Sequence, residues 1–400
     1  MSKPLNAVYP PIKLSPRIGR RAQSGHPWVY SNEIVMDQDA KALAPGSLVR
    51  VMTDSGEALG VAMFNTHSLI AARFLIRDIN VTIDRTFLAE RLQSALAMRE
   101  ALFAEPYYRL IHAEADGLPG LIVDRLGDVV VMQPNSAGMD RMSGEVIAAI
   151  QDCLSPRAIV VRADSPVRHL EGLEERIEVI GDLSEGPISI IENDCHYLAD
   201  PTAGQKTGWF FDQRDNRRFM AGLARDQSVL DVYAHTGGFG LAAAGSGARA
   251  VTMVDRAEAA LDLARRAADK NNVTTICTFA QGDAFGDLEA RRDRGERFDI
   301  VICDPPAFVR TKKDLKSGAR GYRKLTRLAA RLVDTDGWLA IASCSHHVSE
   351  DLLLEQIKLG LRDSGREGRV VRRSGASPDH PIHPALPEST YLKFFCLRLD

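Results

Sequence analysis

The sequence predicts an α/β protein. A doubly wound, mostly parallel sheet fills the C-terminal half, preceded by a small N-terminal β-barrel and a middle α+β segment. Three observations predict this. From about residue 205, apolar runs (SVLDVYA, AVTMVD, FDIVICD, WLAIAS) alternate with helical patterns such as AEAALDLARRAADKN. These runs lack a period of two, as do strands buried on both faces of a parallel sheet. Ahead of them, residues 1–78 carry short strands joined by turn signals, and the stretch 79–195 mixes strands with helices.

Four hundred residues exceed what one hydrophobic core organises, so three domains are expected, at 1–78, 79–195 and 196–400. In the first, SLVRVMT and ALGVAMF flank an Asp54-Ser55-Gly56 turn, and LIAARFLI follows. The second opens on the helix TIDRTFLAERLQSALAMREALF, with Phe87, Leu88, Leu92 and Leu96 at helical spacing. Strands are expected at YRLIHAEA, GLIVDRL, DVVVMQP and RAIVVRAD, and a helix near MDRMSGEVIAAIQDCL. VIGDLSEGPISIIENDCHYL reads as a hairpin leading out. The last run, YLKFFCLRL, follows no crossover helix, so an antiparallel strand is expected at the altered end of the sheet.

A composition of 45% hydrophobic and 26% charged residues is that of a globular chain. No apolar run approaches the ~20 residues of a membrane span, and the basic first thirty residues lack the apolar centre of a secretory signal. Six cysteines, at 153, 195, 277, 303, 344 and 396, form no CxxC pair. Neither a zinc site nor a disulfide framework is expected, and a cytoplasmic location is. Net charge is −3, yet residues 1–75 hold eight Lys/Arg against five Asp/Glu. Lys13, Arg17, Arg20 and Arg21 could form a phosphate-holding patch there, or simply a solvated basic arm.

The chemistry concentrates at the ends of the C-terminal strands. In VLDVYAHTGGFG a strand ends on Asp231, a Gly-rich loop follows and a helix opens, which lets backbone approach a nucleotide-like ligand. Six residues, counted from Asp231 itself, precede Gly237, a wider loop than in dinucleotide folds. A carboxylate there suits an ammonium-bearing ligand, such as the methionine end of S-adenosylmethionine, better than a pyrophosphate. The candidate ligand-binding residues are Asp231, Ala234, Thr236, Gly237 and Gly238, with Asp304 at a later strand end also a candidate cofactor contact. Asp255 ends the next strand, where a carboxylate can accept from ribose hydroxyls, and Asp283 with Ala284 falls where an adenine would lie.

In FDIVICDPPAF, Asp304 ends a strand that two prolines stop. Its carboxylate and the fixed carbonyls could accept from a base edge, and Phe308 could stack on a flipped base. GWLAIASCSHHV places Cys344 at another strand end, among Ser343, Ser345, His346 and His347. A free cysteine is more often a small buried hydrophobe than a nucleophile, but this polar run is unlike a core. The histidines could lower the thiol pKa; they lack partners at metal-ligand spacing.

Taken in order, QKTGWFFDQRDNRR, DVYAHTGGFG, CDPPAF and SCSHHV resemble the RlmI-like family of bacterial large-subunit (23S) ribosomal RNA cytosine-5 methyltransferases. GRRAQSGHPWVYSNEI, PGSLVRVMTDSGEALGVAMFN and Ser68–Arg73 resemble that family's N-terminal PUA domain, an RNA-binding barrel. The resemblance covers nearly the whole chain and implies a class I, Rossmann-like methyltransferase domain using S-adenosyl-L-methionine. It implies that Lys206, Thr207, Asp212, Gln213 and Arg214 close over the cofactor, Gln213 and Arg214 binding it directly. It implies Cys344 as nucleophile, Asp304 as its catalytic partner, and RNA contacts by the basic arm, Phe308, Arg320 and Arg323. The expected partner is rRNA, naked or in an early assembly particle; a homodimer stays open. One departure stands out: many RNA cytosine-5 methyltransferases carry a second cysteine after the prolines, where this chain has Ala307.

Three other readings compete. An Asp-Pro-Pro-aromatic turn also serves methylation of an exocyclic amine or ring nitrogen. A PUA barrel also serves a non-catalytic RNA-binding or assembly factor. Gly238–Ala243 matches G-x-G-x-x-A, but nothing supplies a nicotinamide enzyme's hydride-transfer residues.

Overall fold

The structure is a computed structural model that describes residues 9–16, 19–183, 186–204 and 206–400. Arg17 therefore lies outside the described residues. The chain forms two compact units. The first runs to Gly186 and takes in Pro201–Trp209 and Asp379–Pro387; the second comprises Pro187–Asp200, Phe210–Pro378 and Glu388–Asp400.

The first unit holds two sheets. In one, the strand order is Pro11–Lys13, Ser47–Met52, Ala58–Phe64, Ala72–Ile76, Trp28–Val29. Beyond its two edge strands, Leu14 bridges Ile34, and Val35 N–H donates to Lys13 O (2.8 Å), so the sheet closes on itself as the expected barrel. The other sheet runs Arg176–Gly181, Ala158–Ala163, Val129–Pro134, Leu121–Leu126, Tyr107–His112. The helix Arg85–Leu102 starts where the Asp84 carboxylate accepts from Phe87 N–H, and its apolar face (Phe87, Leu88, Leu92) joins one core with Val123, Met132 and Val161. Val61, Met63 and Leu75 of the barrel belong to the same core. Beside it, buried Glu171 accepts from Asn65 Nδ2 (3.0 Å), Ser68 Oγ (2.8 Å), Arg73 Nη2 (3.1 Å) and Ala137 N–H (3.2 Å).

One expectation needs correcting here. The start of the expected hairpin, Val179–Gly181, instead belongs to the edge strand Arg176–Gly181 of the second sheet, paired with Ala158–Ala163. The hairpin is Ile188–Glu192 with Cys195–Ala199, turning at Asn193 and Asp194 with φ of 51° and 61°. Two left-handed residues in a two-residue loop match the twist of the flanking strands, and Asn and Asp tolerate that conformation.

The second unit contains a seven-stranded sheet, whose elements we number. They are β1 (Ser228–Val232), β2 (Ala250–Asp255), β3 (Cys277–Gln281), β4 (Phe298–Cys303), β5 (Val333–Ser343), β6 (Gly368–Ser374) and β7 (Lys393–Leu399). The helices are α1 (Arg214–Ala221), α2 (Gly238–Gly245), α3 (Glu258–Lys270), α4 (Ala284–Asp293), α5 (Leu315–Ala330) and α6 (Glu350–Ser364). Strand order is β3-β2-β1-β4-β5-β7-β6, with β1 to β5 parallel and β7 antiparallel to both neighbours. The order reverses at β1/β4, which opens the binding crevice at the C-terminal ends of those strands. Leu230, Val301, Ile341, Leu325 and Phe395, from strands and helix alike, pack in its core. No helix among the described residues is long and apolar enough to cross a membrane.

Candidate active site

The loop from β1 to α2 is held in a costly shape. Tyr233 and His235 both adopt positive φ (67° and 51°), which costs each side chain on the order of 1–3 kcal/mol. Ala234 N–H donates to Val254 O (3.0 Å) and His235 N–H to Asp255 Oδ2 (2.8 Å), pinning the loop against the end of β2. Gly237, at φ 84°, caps α2, and a Cβ on Gly240 would meet Met253 Cγ at 2.5 Å. Ala234, Thr236 and Gly238 are buried in this turn.

Asp231 is 1% exposed. Gly240 N–H donates to its Oδ2 (2.7 Å), while its Oδ1 finds no partner among the described residues. Burial pushes its carboxyl up; the Gly240 N–H opposes that, the charges of Asp304 and Asp255 add to it, and Arg217 opposes, leaving it at about 7. A buried acid with one unmet acceptor is unusual, and it fits a ligand's cationic donor.

The segment before and into α1 adds two more such atoms. Asp212 Oδ2 accepts from Tyr391 OH (2.5 Å) and Gln213 Oε1 accepts from Asn216 Nδ2 (2.7 Å), but Asp212 Oδ1 and Gln213 Nε2 have no partner among the described residues. Arg217, buried beneath them, is bound by Glu192 through Nε (2.6 Å) and Nη2 (3.0 Å) and donates to Phe210 O (2.7 Å). Arg214 lies over the Phe211 ring, 3.9 Å from Glu192 Oε2. In the first unit, Thr207 is buried, its hydroxyl donating to Trp209 O (3.4 Å), and Lys206 is exposed.

Asp255 is half-buried at the end of β2, its Oδ1 accepting from Ala257 N–H (2.8 Å). Asp283 is exposed and caps α4 by accepting from Gly286 N–H (3.1 Å); Ala284 beside it is buried in the core.

On the other side of the crevice, Asp304 follows β4, its N–H donating to Val232 O (3.3 Å). Cys344 follows β5, half-buried, with Sγ 4.0 Å from Pro305 O. The structure thus brings Asp304 and Cys344 to neighbouring strand ends. The serines flanking Cys344 are fully buried, although the polar run reads from sequence as unlike a core. Their hydroxyls are satisfied by one tyrosine: Ser343 Oγ donates to Tyr322 OH (2.7 Å), which shares a hydrogen bond with Ser345 Oγ (2.9 Å). Val309 N–H also donates to Ser345 Oγ (3.3 Å), which ties the cysteine turn to the chain after the two prolines. His346 and His347 are exposed, the His346 ring 5.4 Å from Tyr391. Cys303 is wholly buried in the core and burial drives its thiol far up, so it stays protonated.

Phe308 is half-buried, its ring 4.8 Å from Tyr322 and 6.0 Å from Phe285. Arg320 is exposed on α5, and Arg323 is paired with Asp363 (2.6 and 2.9 Å). In the first unit, Lys13, Arg20 and Arg21 are exposed; Arg21 also lies over Tyr30 and 3.5 Å from Glu33. Sequence reasoning missed Tyr322, Tyr391, Lys393 and the Glu192–Arg217 pair. The only sequence signal among them is Lys393, the one charge in the apolar start of YLKFFCLRL. The described residues contain no metal-binding group of three or more His, Cys, Asp or Glu.

A sheet of this order, with an acid at the end of β1 and glycines opening α2, defines the class of S-adenosylmethionine-dependent methyltransferases. The S-adenosylmethionine-dependent methyltransferase family matches residues 168–385, and a PUA-like domain matches residues 12–77. Ribosomal RNA large subunit methyltransferase I of Klebsiella pneumoniae strain 342 is 35% identical, covering 98% of this chain and 99% of its own length. That of Cronobacter sakazakii is 36% identical, covering 94% and 95%. The chain belongs to the ribosomal RNA large subunit methyltransferase I family. A Streptococcus mutans structure assigned as a SAM-dependent methyltransferase shares the fold at a TM-score of 0.81 and 20% identity, covering 97% of this chain and 100% of that one. The cofactor of the present chain is S-adenosylmethionine, and the three unmet polar atoms on Asp231, Asp212 and Gln213 suit that molecule's ammonium and carboxylate end.

Proposed function

We propose that this chain methylates carbon 5 of a cytosine in large-subunit (23S) ribosomal RNA, with Cys344 as nucleophile. The observation that carries the reading is the placement of Cys344 Sγ 4.0 Å from Pro305 O, beside Asp304 and across the crevice from the Asp231 loop. Carbon 5 is a poor nucleophile until the ring's conjugation is broken. The Cys344 thiolate adds to carbon 6, and the displaced electron pair makes carbon 5 an enamine-like nucleophile. S-adenosylmethionine, when bound, supplies an electrophilic methyl on its sulfonium. Asp304 holds the N3/amino edge of the base through this addition. Once carbon 5 carries the methyl, loss of its proton to water restores the 5,6 double bond, and the pair on the C–S bond returns to sulfur as the thiolate leaves.

For the cofactor, the reading places Asp231 at the ammonium, Asp255 at the ribose hydroxyls, and Asp283 with Ala284 at the adenine. Ala234, Thr236, Gly237 and Gly238 form its backbone cradle, and Gln213 and Arg214 its cover. The target base must leave its stack to reach such a crevice, so RNA that is naked or early in assembly is the proposed substrate. Lys13, Arg20 and Arg21 of the PUA-like domain, with Arg320, Arg323 and Phe308, are the proposed RNA contacts. The three-part division at 78 and 195 belongs to the same reading.

A covalent trap tests it. With transcripts containing 5-fluorocytidine, the carbon-5 proton is absent and the thiolate cannot leave. Wild-type protein should form an RNA–protein complex that survives denaturation, and Cys344→Ala should form none. Methylation by Cys344→Ala near the wild-type rate would overturn the cytosine-5 reading in favour of amine methylation.

A further inference from the structure

Lys393 opens β7 directly opposite Ser343, the residue before Cys344, in the antiparallel β5/β7 register. Lys393 is 7% exposed, an expensive place for an ammonium. Nζ donates to the carbonyl oxygens of Ser345 (2.7 Å) and Tyr391 (2.7 Å). An ammonium has three N–H donors, and no partner for the third is found among the described residues. The fixed cation therefore sits one peptide away from Cys344, on the carbonyl of the residue that follows it. No such feature is needed to close the sheet, since an apolar residue would fill the position at less cost.

We propose that Lys393 is a positioning residue for the reaction, a buried cation that stabilises the Cys344 thiolate before it attacks. The inference rests on Cys344 being the nucleophile. The thiol proton leaves to water, Lys393 keeps its own, and the negative sulfur gains a neighbouring positive charge. Burial pulls the Lys393 ammonium down to about 8, while the charges of Cys344 and Glu350 push it back up, so each stabilises the other's ionised form. Glu350 is itself paired with Arg373. Tyr322, on α5, faces the same turn, and burial raises its hydroxyl, so it stays neutral. Neither histidine is buried against Lys393, which leaves the lysine in the part that sequence reasoning gave to His346 and His347.

The test reads the thiol directly, without RNA or methyl transfer. The full chain is treated with iodoacetamide from pH 6 to pH 10, and alkylation of the Cys344 peptide is followed by mass spectrometry. The wild-type midpoint should lie below the ~8.5 of an ordinary thiol. Lys393→Met should move it up by about one unit, roughly tenfold slower alkylation at pH 7, and Lys393→Arg should restore most of the shift. A wild-type midpoint at or above 8.5, or one unchanged in Lys393→Met, overturns the proposal. If Lys393→Met does not fold, the wild-type midpoint decides alone. A low midpoint together with an active Cys344→Ala enzyme would sink the nucleophile reading and leave the Lys393–Cys344 coupling standing.

Discussion

Sγ of Cys344 lies 4.0 Å from the carbonyl oxygen of Pro305, 39 residues earlier in the chain. The contact follows from topology: β4 and β5 are parallel neighbours with Cys303 opposite Ile341, so both chains leave the sheet at the same edge. One leaves as Asp-Pro-Pro and the other as the cysteine turn, and Val309 N–H and Ser345 Oγ tie them together.

Cys344→Ala should lower methyl transfer by at least ~10³-fold while cofactor affinity changes only a few-fold, because the thiol acts in chemistry and not in binding. Cys303→Ala should behave in the opposite way. Its thiol is buried among Val232, Val301 and Ile341, so the change costs stability, about 1–3 kcal/mol by chemical denaturation, and leaves methylation near wild type.

Asp231 should make cofactor binding pH-dependent. Its carboxyl is held at about 7, well above an ordinary aspartate, by burial first. In the free protein it carries a proton between pH ~4 and ~7 that the unfolded chain has lost, so its effect on stability worsens as pH rises through that window. A cationic ligand selects the ionised form, so affinity should tighten with pH by up to about tenfold per unit and level off above 7. Calorimetric titration with S-adenosylmethionine should show this, and Asp231→Asn should flatten the profile.

Tyr322→Phe removes the hydroxyl that satisfies both Ser343 and Ser345. The loss should cost about 1–3 kcal/mol, read by urea unfolding. Because those serines bracket Cys344, kcat should fall while the cofactor KM holds.

In the first unit, burial opposes the charge on Glu171, but Arg73, Asn65, Ser68 and the Ala137 N–H together hold its pKa below the usual glutamate value. Glu171→Ala should destabilise by about 3–5 kcal/mol, since it strands the Arg73 charge and several donors. A depressed folded pKa contributes stability that is present above the unfolded value near 4.5 and lost as pH falls through the folded value. The gap between wild type and Glu171→Gln should therefore narrow on acidification, as followed by thermal melts across pH.

The strand-end acids were legible because each closes an apolar run: Asp231, Asp255 and Asp304 need only the strand to be recognised. The edge was harder. β6 reads GRVVRRS and is largely exposed, so no apolar run marks it. Arg176–Gly181 is concealed in the same way, its residues mostly exposed. The place of Lys393 depends on a register between strands fifty residues apart, which no local pattern encodes. The buried serines beside Cys344 misled for a related reason: their polarity suggested solvent, whereas the partner that admits them to the core, Tyr322, comes from the apolar stripe of α5.

The most direct measurement of the central claim is nucleoside mass spectrometry of unmodified 23S rRNA after incubation with the purified chain and S-adenosylmethionine. The account predicts one 5-methylcytosine, formed by wild-type protein and absent with Cys344→Ala. Methylation on a nitrogen, or an equal yield of 5-methylcytosine from Cys344→Ala, would contradict it.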